Sequence, residues 1–293
     1  MKCNTNNKRA IVAYLDYKND QYAMFKIFLY SAELIDIVNT DIVIFYDPSY
    51  HEIFKNYSVP IVLGNKNSKL ILIQMLSISI SDSDFSEYLY INSIACLSNQ
   101  HWLKRYDFIL KTDIDIVLTD NWNNYYPTGF ETGLGCYNHD NDTKQKLKQL
   151  ADRLKLPLKQ TYQYNIGSSW YGKSEDILNV ASLTVLISRE LLVTEFKKST
   201  GEWPGFFKGV TSLYASEIAI NYLIDNIIIK ADHLDFPSDS TDNIVNHTHI
   251  HFVHCTDLFS KHAFLRGDYD DIDIARLNKS IVNEYCLYCA LSS

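Results

Sequence analysis

Two carboxylates one residue apart, Asp113 and Asp115, interrupt an otherwise apolar run from Tyr106 to Thr119. The run reads as a buried strand with the acids at its C-terminal exit. Acids so placed form a hard-oxygen site for a divalent cation, and such a cation can in turn hold a diphosphate. A buried, uncompensated carboxylate is costly, so acids in this setting come with a partner. Spacing alone selects nothing, because the chain holds five Asp-x-Asp triplets. Asp82/Asp84, Asp140/Asp142, Asp268/Asp270 and Asp271/Asp273 all lie in polar, turn-forming stretches and read as solvated loops. Only Asp113/Asp115 sits in an apolar, β-branched context.

A second cluster is His249, His251 and His254, followed by Lys261. Strand alternation places His249 and His251 on one face. One strand histidine is an ordinary core residue, whereas three beside a turn point to a metal or phosphate site. A lysine ammonium nearby suits a phosphate leaving group. Glu217 is expected to open a helix, where it either complements the helix dipole or faces a ligand. Asn165-Ile-Gly167 leads to Trp170; the glycine permits close backbone approach, either to a ligand or within a strand bulge beside a core tryptophan. Trp203, in Trp-Pro-Gly, shapes a candidate acceptor loop. Cys286 and Cys289 have CxxC spacing with no second pair, and read as structural or incidental thiols.

The elements that must position these groups alternate between strand and helix. Strands are expected at Arg9 to Leu15, Thr40 to Tyr46, Val59 to Gly64, Asp107 to Leu118, Tyr164 to Tyr171 and Ile244 to Val253. Helices are expected at Tyr22 to Ile37, Phe85 to Leu97, Thr143 to Leu154, Ser174 to Lys197 and Tyr214 to Ile229. This alternation predicts an α/β fold with a mostly parallel sheet covered on both faces. Ligands of such sheets bind at the carboxyl ends of strands, where Asp113 and Asp115 lie. No repeat, linker or composition break appears. The expected organisation is one domain over 1–293, with a nucleotide half (1–120) and an acceptor half (121–293).

Composition narrows the function classes. Of 293 residues, 46% are hydrophobic and 21% charged, as in an ordinary globular protein. The net charge of -8 and the lack of a basic run argue against nucleic acid as a partner. The first residues, Met1 to Arg9, are polar and read as neither signal peptide nor anchor, and no apolar stretch of spanning length is expected. A cytoplasmic location with reduced cysteines is the corresponding expectation.

Asp113-Ile-Asp115 at a strand exit resembles the DxD signature of nucleotide-sugar glycosyltransferases with the GT-A fold. The order of DxD, Asn165-x-Gly167, an acidic helix at Glu217, then His254 and Lys261 is similar to that plan over most of the chain. The resemblance implies a Rossmann-like three-layer sandwich and a metal-dependent transferase, with the His–Lys ending pointing to the retaining form. It implies that Asp113, Asp115 and His254 hold Mn²⁺ or Mg²⁺, with His249 and His251 as competitors for the third position. Donor contacts would come from Ala13, Tyr14, Asp16, Lys111, Thr112, Asp113, Ile114 and Lys261. Asn165, Gly167, Trp170, Trp203 and Glu217 would line the sugar and acceptor pocket, with Glu217 and Lys261 in catalytic roles. The implied partners are a UDP-sugar donor and a glycan, protein or small-molecule acceptor. Trp-Pro-Gly, Tyr-Ala-Ser-Glu and the histidine cluster with Phe-Ser-Lys also resemble a glycosyltransferase-like family of large DNA viruses, algae and protists, which would place the protein in a host cytoplasm. A nucleotidyltransferase would need a Gly-rich triphosphate loop that the sequence lacks; an inactive glycan-binding scaffold of the same fold is the other alternative.

Overall fold

Uninterrupted runs of β-branched and aromatic residues form strands buried on both faces. β1 (Arg9–Leu15) and β2 (Thr40–Tyr46) are of this kind, and every residue of both is buried. They pair in parallel, with Arg9 opposite Thr40 and Leu15 opposite Tyr46. In the computed structural model, residues 7–55, 60–63, 67–86, 88–159, 161–252 and 259–293 are described.

The remaining strands are β3 (Ile61–Leu63), β4 (Ser68–Gln74), β5 (Phe108–Lys111), β6 (Ile116–Leu118), β7 (Phe130–Leu134), β8 (Ile166–Lys173), β9 (Ile227–Ile229), β10 (Phe236–Pro237) and β11 (His249–His251). An eight-stranded sheet runs in the order β3-β4-β2-β1-β5-β8-β7-β9, and a three-stranded sheet in the order β10-β11-β6. β4, β2, β1 and β5 are mutually parallel. β3 and β8 run antiparallel to β4 and β5, so the large sheet is mixed but, as expected, mostly parallel.

Alternation along β1 builds both cores. Ala10, Val12 and Tyr14 enter one, with residues of the helices Asn141–Arg153, Ser174–Thr194 and Thr211–Leu223. Ile11, Ala13 and Leu15 enter the other, with the helices Asn19–Leu34 and Val282–Ser292 and with the small sheet. The fold is therefore an α/β sandwich of three layers. Burial of each large side chain such as Ile11 or Leu15 contributes about 1.5–3 kcal/mol.

Several sequence expectations change. The strand expected at Asp107 to Leu118 is two strands, β5 and β6, in different sheets. The helix expected at Phe85 to Leu97 is broken into single turns at Ser83–Phe85, Leu89–Ile91 and Asn92–Ala95. Asn92 Oδ1 accepts from the Ile78 backbone N–H at 3.1 Å, the local competition that Asn offers against helix. The helix expected to reach Ile229 ends at Leu223, and three consecutive isoleucines become β9 instead. The His-rich strand shortens to His249–His251. The helix Ser174–Thr194 does have the length and apolar composition of a spanning segment. Its apolar character matches its place in the fold, where Ile177, Val180, Ala181 and Leu191 pack into the core beside the helix Thr211–Leu223.

Candidate metal and phosphate site

β1 and β5 lie side by side, with Val12 opposite Lys111. From this pair the sheet extends through β2 and β4 on one side and through β8 on the other. A crevice outside the carboxyl ends of such strands is where open α/β sheets bind ligands. Here it is a cavity of about 550 Å³, with Tyr14 and Asp16 from the end of β1 and Lys111, Asp113, Ile114 and Asp115 from the end of β5.

The chain then leaves the large sheet. Residues 112–115 cross over, and β6 pairs antiparallel with β11, setting Ile116 opposite His251. The Phe252 N–H donates to the Asp115 carbonyl at 2.9 Å. This register brings the His251 imidazole to Asp115. On the other side of β11, β10 sets Pro237 opposite His251, so Asp235, just ahead of β10, reaches the histidines.

Asp113, Asp115 and His251 each offer a ligand atom, and these atoms lie within 4.8 Å of one another. Two carboxylates and an imidazole suit a divalent cation such as Mn²⁺. His251 Nε2 lies 3.3 Å from Asp115 Oδ1, and the Lys261 ammonium donates to Asp115 Oδ2. Asp113 is half-buried and pairs with Lys111 Nζ at 3.3 Å. Burial alone would raise the Asp115 carboxyl, but the charges of His251 and Lys261 outweigh it and hold it well below the usual carboxylate range. Burial would likewise lower His251, yet Asp115 and Asp235 push it up to about 9. At Asp16, burial raises the carboxyl, opposed by the Tyr17 N–H.

His249 is differently placed. Its Nδ1 accepts from the Asp235 N–H at 3.1 Å, so Nε2 carries the proton toward Thr112 Oγ1 at 2.8 Å. Both ring nitrogens are thereby committed, and burial depresses its pKa to about 4. It is a neutral strut beneath the site. Asp235 supports both imidazoles: its carboxylate accepts from the Ser169 N–H at 2.9 Å and lies 3.7 Å from His251 Nδ1. At that distance the carboxylate acts on the His251 ring through its charge rather than through a hydrogen bond.

Of the residues expected from sequence, Tyr14, Asp16, Lys111, Asp113, Ile114, Asp115, Trp170, Trp203 and Lys261 line the cavity. Ala13 does not; it is fully buried in the opposite core. Thr112 is also fully buried, tied to His249 and Ser169. His254 lies outside the described residues.

Glu217 requires correction. It lies in the middle of the helix Thr211–Leu223, not at its start, and is 0% exposed. Its carboxylate accepts from the Asn165 N–H at 2.7 Å, Asn138 Nδ2 at 2.8 Å and the Tyr162 hydroxyl at 3.0 Å. It is an internal tie between the helix and the loops flanking β7 and β8. Asn165 belongs to the same tie, receiving the Tyr137 and Asn138 N–H groups on Oδ1. Gly167 makes room not for a sugar but for protein: a Cβ there would lie 2.4 Å from Asp235 Oδ2. Trp170 is buried, with the Lys111 ammonium 5.2 Å from its ring centroid, so it is no open stacking face. The exposed aromatics on the wall are Tyr90 and Trp203.

Asp235 escaped the sequence reading. Its signal was indirect: Gly133 and Gly167 both stand against its carboxylate, and neither lies near it in sequence.

Over residues 4–291 the chain matches a family described as a domain of unknown function (DUF7164), and it belongs to that family. No curated protein matches it.

Proposed function

We propose that this member of the DUF7164 family is a metal-dependent glycosyltransferase of GT-A type, moving a sugar from a nucleoside-diphosphate donor, UDP-linked, to an acceptor hydroxyl. The observation that carries the reading is the convergence of Asp113, Asp115 and His251 within 4.8 Å, beside a cavity that also holds Lys111 and Lys261. Mn²⁺ or Mg²⁺ held by those three residues would supply charge neutralisation for a departing diphosphate.

The chain's own groups supply the rest. Lys261 and Lys111 present ammonium groups to the diphosphate, and both already neutralise acids of the site. Asp235 adds a buried negative charge 3.7 Å from His251 Nδ1. Tyr14 and Asp16 bound the cavity at the end of β1, where a nucleoside would lie. Tyr90 and Trp203 offer the exposed ring faces against which an acceptor sugar can pack. With Glu217 internal, Asp16 is the cavity-lining carboxylate, among the described residues, that stands apart from the triad. It stands at the nucleoside end, so the reading assigns no general base, which suits the retaining reaction that the motif order favours.

The test is release of UDP from a panel of UDP-sugars, with Mn²⁺ or with EDTA, by wild type and Asp115→Asn. Metal-dependent release lost in the variant supports the reading. Absence of release with UDP-, GDP- and CDP-sugars alike, from protein that is folded and metal-loaded, sinks it. That outcome favours a second reading, an inactive carbohydrate-binding module. Asp115 already has its charge balanced by His251 and Lys261, and the exposed aromatic wall would suffice for binding.

A further inference from the structure

The opposite end of the small sheet carries a second cavity, of about 640 Å³, formed around Asn121, Tyr125, Asp232, His233, Asp242 and His247. β6 and β11 separate it from the Asp113 cavity. His251 stands at one end of β11, and His247, two residues before the strand, at the other. Among the described residues, no lysine or arginine lines this second cavity, whereas two aspartates do. Its lining acids favour a cation over an anion.

His247 is the informative residue. Its ring is buried and stacked on Phe236, with centroids 3.5 Å apart. Its Nδ1 lies 2.8 Å from the Asp232 carbonyl oxygen. A carbonyl only accepts, so in the neutral ring the proton is on Nδ1 and Nε2 presents a bare lone pair. That Nε2 is buried and has no hydrogen-bond partner among the described residues. Its nearest acidic neighbour is Asp242 Oδ2 at 3.9 Å, too far for a hydrogen bond. The backbone behind the ring is fixed as well, because Asn121 Nδ2 donates to the His247 carbonyl at 2.9 Å.

We propose that His247 and Asp242 form a second cation site, for a borderline divalent metal of the zinc class. An imidazole held by Nδ1–H on a backbone carbonyl, with Nε2 left bare, is the arrangement by which proteins orient a ligating histidine. Two ligands on one zinc, at about 2.0–2.2 Å each, stand somewhat under 4 Å apart. Asp242 is 64% exposed and is free to close the remaining gap. Nitrogen and carboxylate donors select zinc-like ions over magnesium or calcium, which prefer all-oxygen shells. Water completes the coordination from the open side. This site is independent of the glycosyltransferase reading and shares no residue with the Asp113 triad.

The experiment is calorimetric titration of chelator-stripped full-length protein with Zn²⁺, in an Asp113→Asn/Asp115→Asn background that removes the carboxylates of the first site. One equivalent is expected to bind. Adding Asp242→Asn, on the exposed side chain, is expected to weaken that binding at least tenfold, and adding His247→Gln to abolish it. Co²⁺ absorption in the visible range gives the same comparison with a direct signature of nitrogen ligation. Far-ultraviolet circular dichroism establishes that each variant is folded. If the double-asparagine protein binds no Zn²⁺, the proposal fails. It fails equally if Asp242→Asn leaves binding unchanged, because the bound ion then sits elsewhere.

Discussion

Gly167→Ala tests whether the support behind the site is as tightly built as its geometry implies. A Cβ at residue 167 would lie 2.4 Å from Asp235 Oδ2, 2.5 Å from the Gly133 carbonyl carbon and 2.7 Å from Gly133 Cα. Two of the three obstacles are backbone of β7, at the point where its register with β8 shifts. The third is a buried carboxylate held by the Ser169 N–H at 2.9 Å. Neither is the loose end of a flexible side chain, so β7 and β8 must separate or Asp235 must leave the histidines. Overpacking of this kind costs about 1–3 kcal/mol, and two rigid obstacles place it at the upper end, about 3 kcal/mol. Gly172, on the same strand, is the control: its nearest contact would be Phe130 Cα at 3.4 Å. Gly172→Ala should therefore stay within about 1 kcal/mol of wild type, since a compatible glycine-to-alanine change is mildly favourable. In a large domain each kcal/mol moves the melting temperature by about 2–4 °C, which gives a fall of roughly 6–12 °C for Gly167→Ala. Thermal unfolding followed by circular dichroism reads both. A Gly167→Ala protein that melts together with Gly172→Ala would refute the close-packed account of Asp235.

Lys261→Met should separate two effects of opposite sign. Removing the ammonium from Asp115 should tighten Mn²⁺ binding without nucleotide at least about tenfold, roughly 1.4 kcal/mol, while weakening UDP in the presence of Mn²⁺; equilibrium titrations that move in the same direction would contradict the dual role. Thr112→Val keeps the shape but removes the hydroxyl that receives His249 Nε2–H, and should cost about 1–3 kcal/mol in urea unfolding as a buried donor is orphaned; an unchanged midpoint would mean that His249 finds another partner. Burial raises the Glu217 carboxyl above its ordinary value of 4.5. A raised folded pKa means that the folded state holds the proton longer, so its stabilising effect is present at low pH and lost as pH rises through the folded value. The stability of wild type minus that of Glu217→Gln should accordingly fall as pH rises from about 4; a rise with pH would show the carboxylate to be the favoured buried form.

What was legible in the sequence was the part set by local pattern. The apolar runs of β1 and β2 marked two buried strands, and the acids after Lys111 stood out because the segments on either side of them are apolar and β-branched. What was not legible depended on pairing between distant segments. The choice of His251 over His249 follows from the register that sets Ile116 opposite His251, which the alternation of β11 alone does not contain. Both histidines lie on one strand face, yet one meets Thr112 and the other Asp115. Glu217 misled because acid in an apolar helix was read as a ligand-facing group, whereas its partners are backbone and side chains of loops more than fifty residues away in sequence. Asn165 and Gly167 were rightly singled out as unusual, but the close approach they permit is to Glu217 and Asp235, not to a sugar. β4 was passed over because its apolar run, Leu70-Ile-Leu-Ile73, is only four residues long and follows a polar turn.

The central claim is that Asp113, Asp115 and His251 hold a divalent cation on which a nucleoside diphosphate is bound. Titration of Mn²⁺ followed by electron paramagnetic resonance tests it directly, because the signal of free Mn²⁺ disappears on binding. With UDP present, wild type should take up Mn²⁺ stoichiometrically, while Asp115→Asn, folded by circular dichroism, should leave the free signal at its protein-free level. Equal uptake by the two proteins, or none by wild type, would contradict the account.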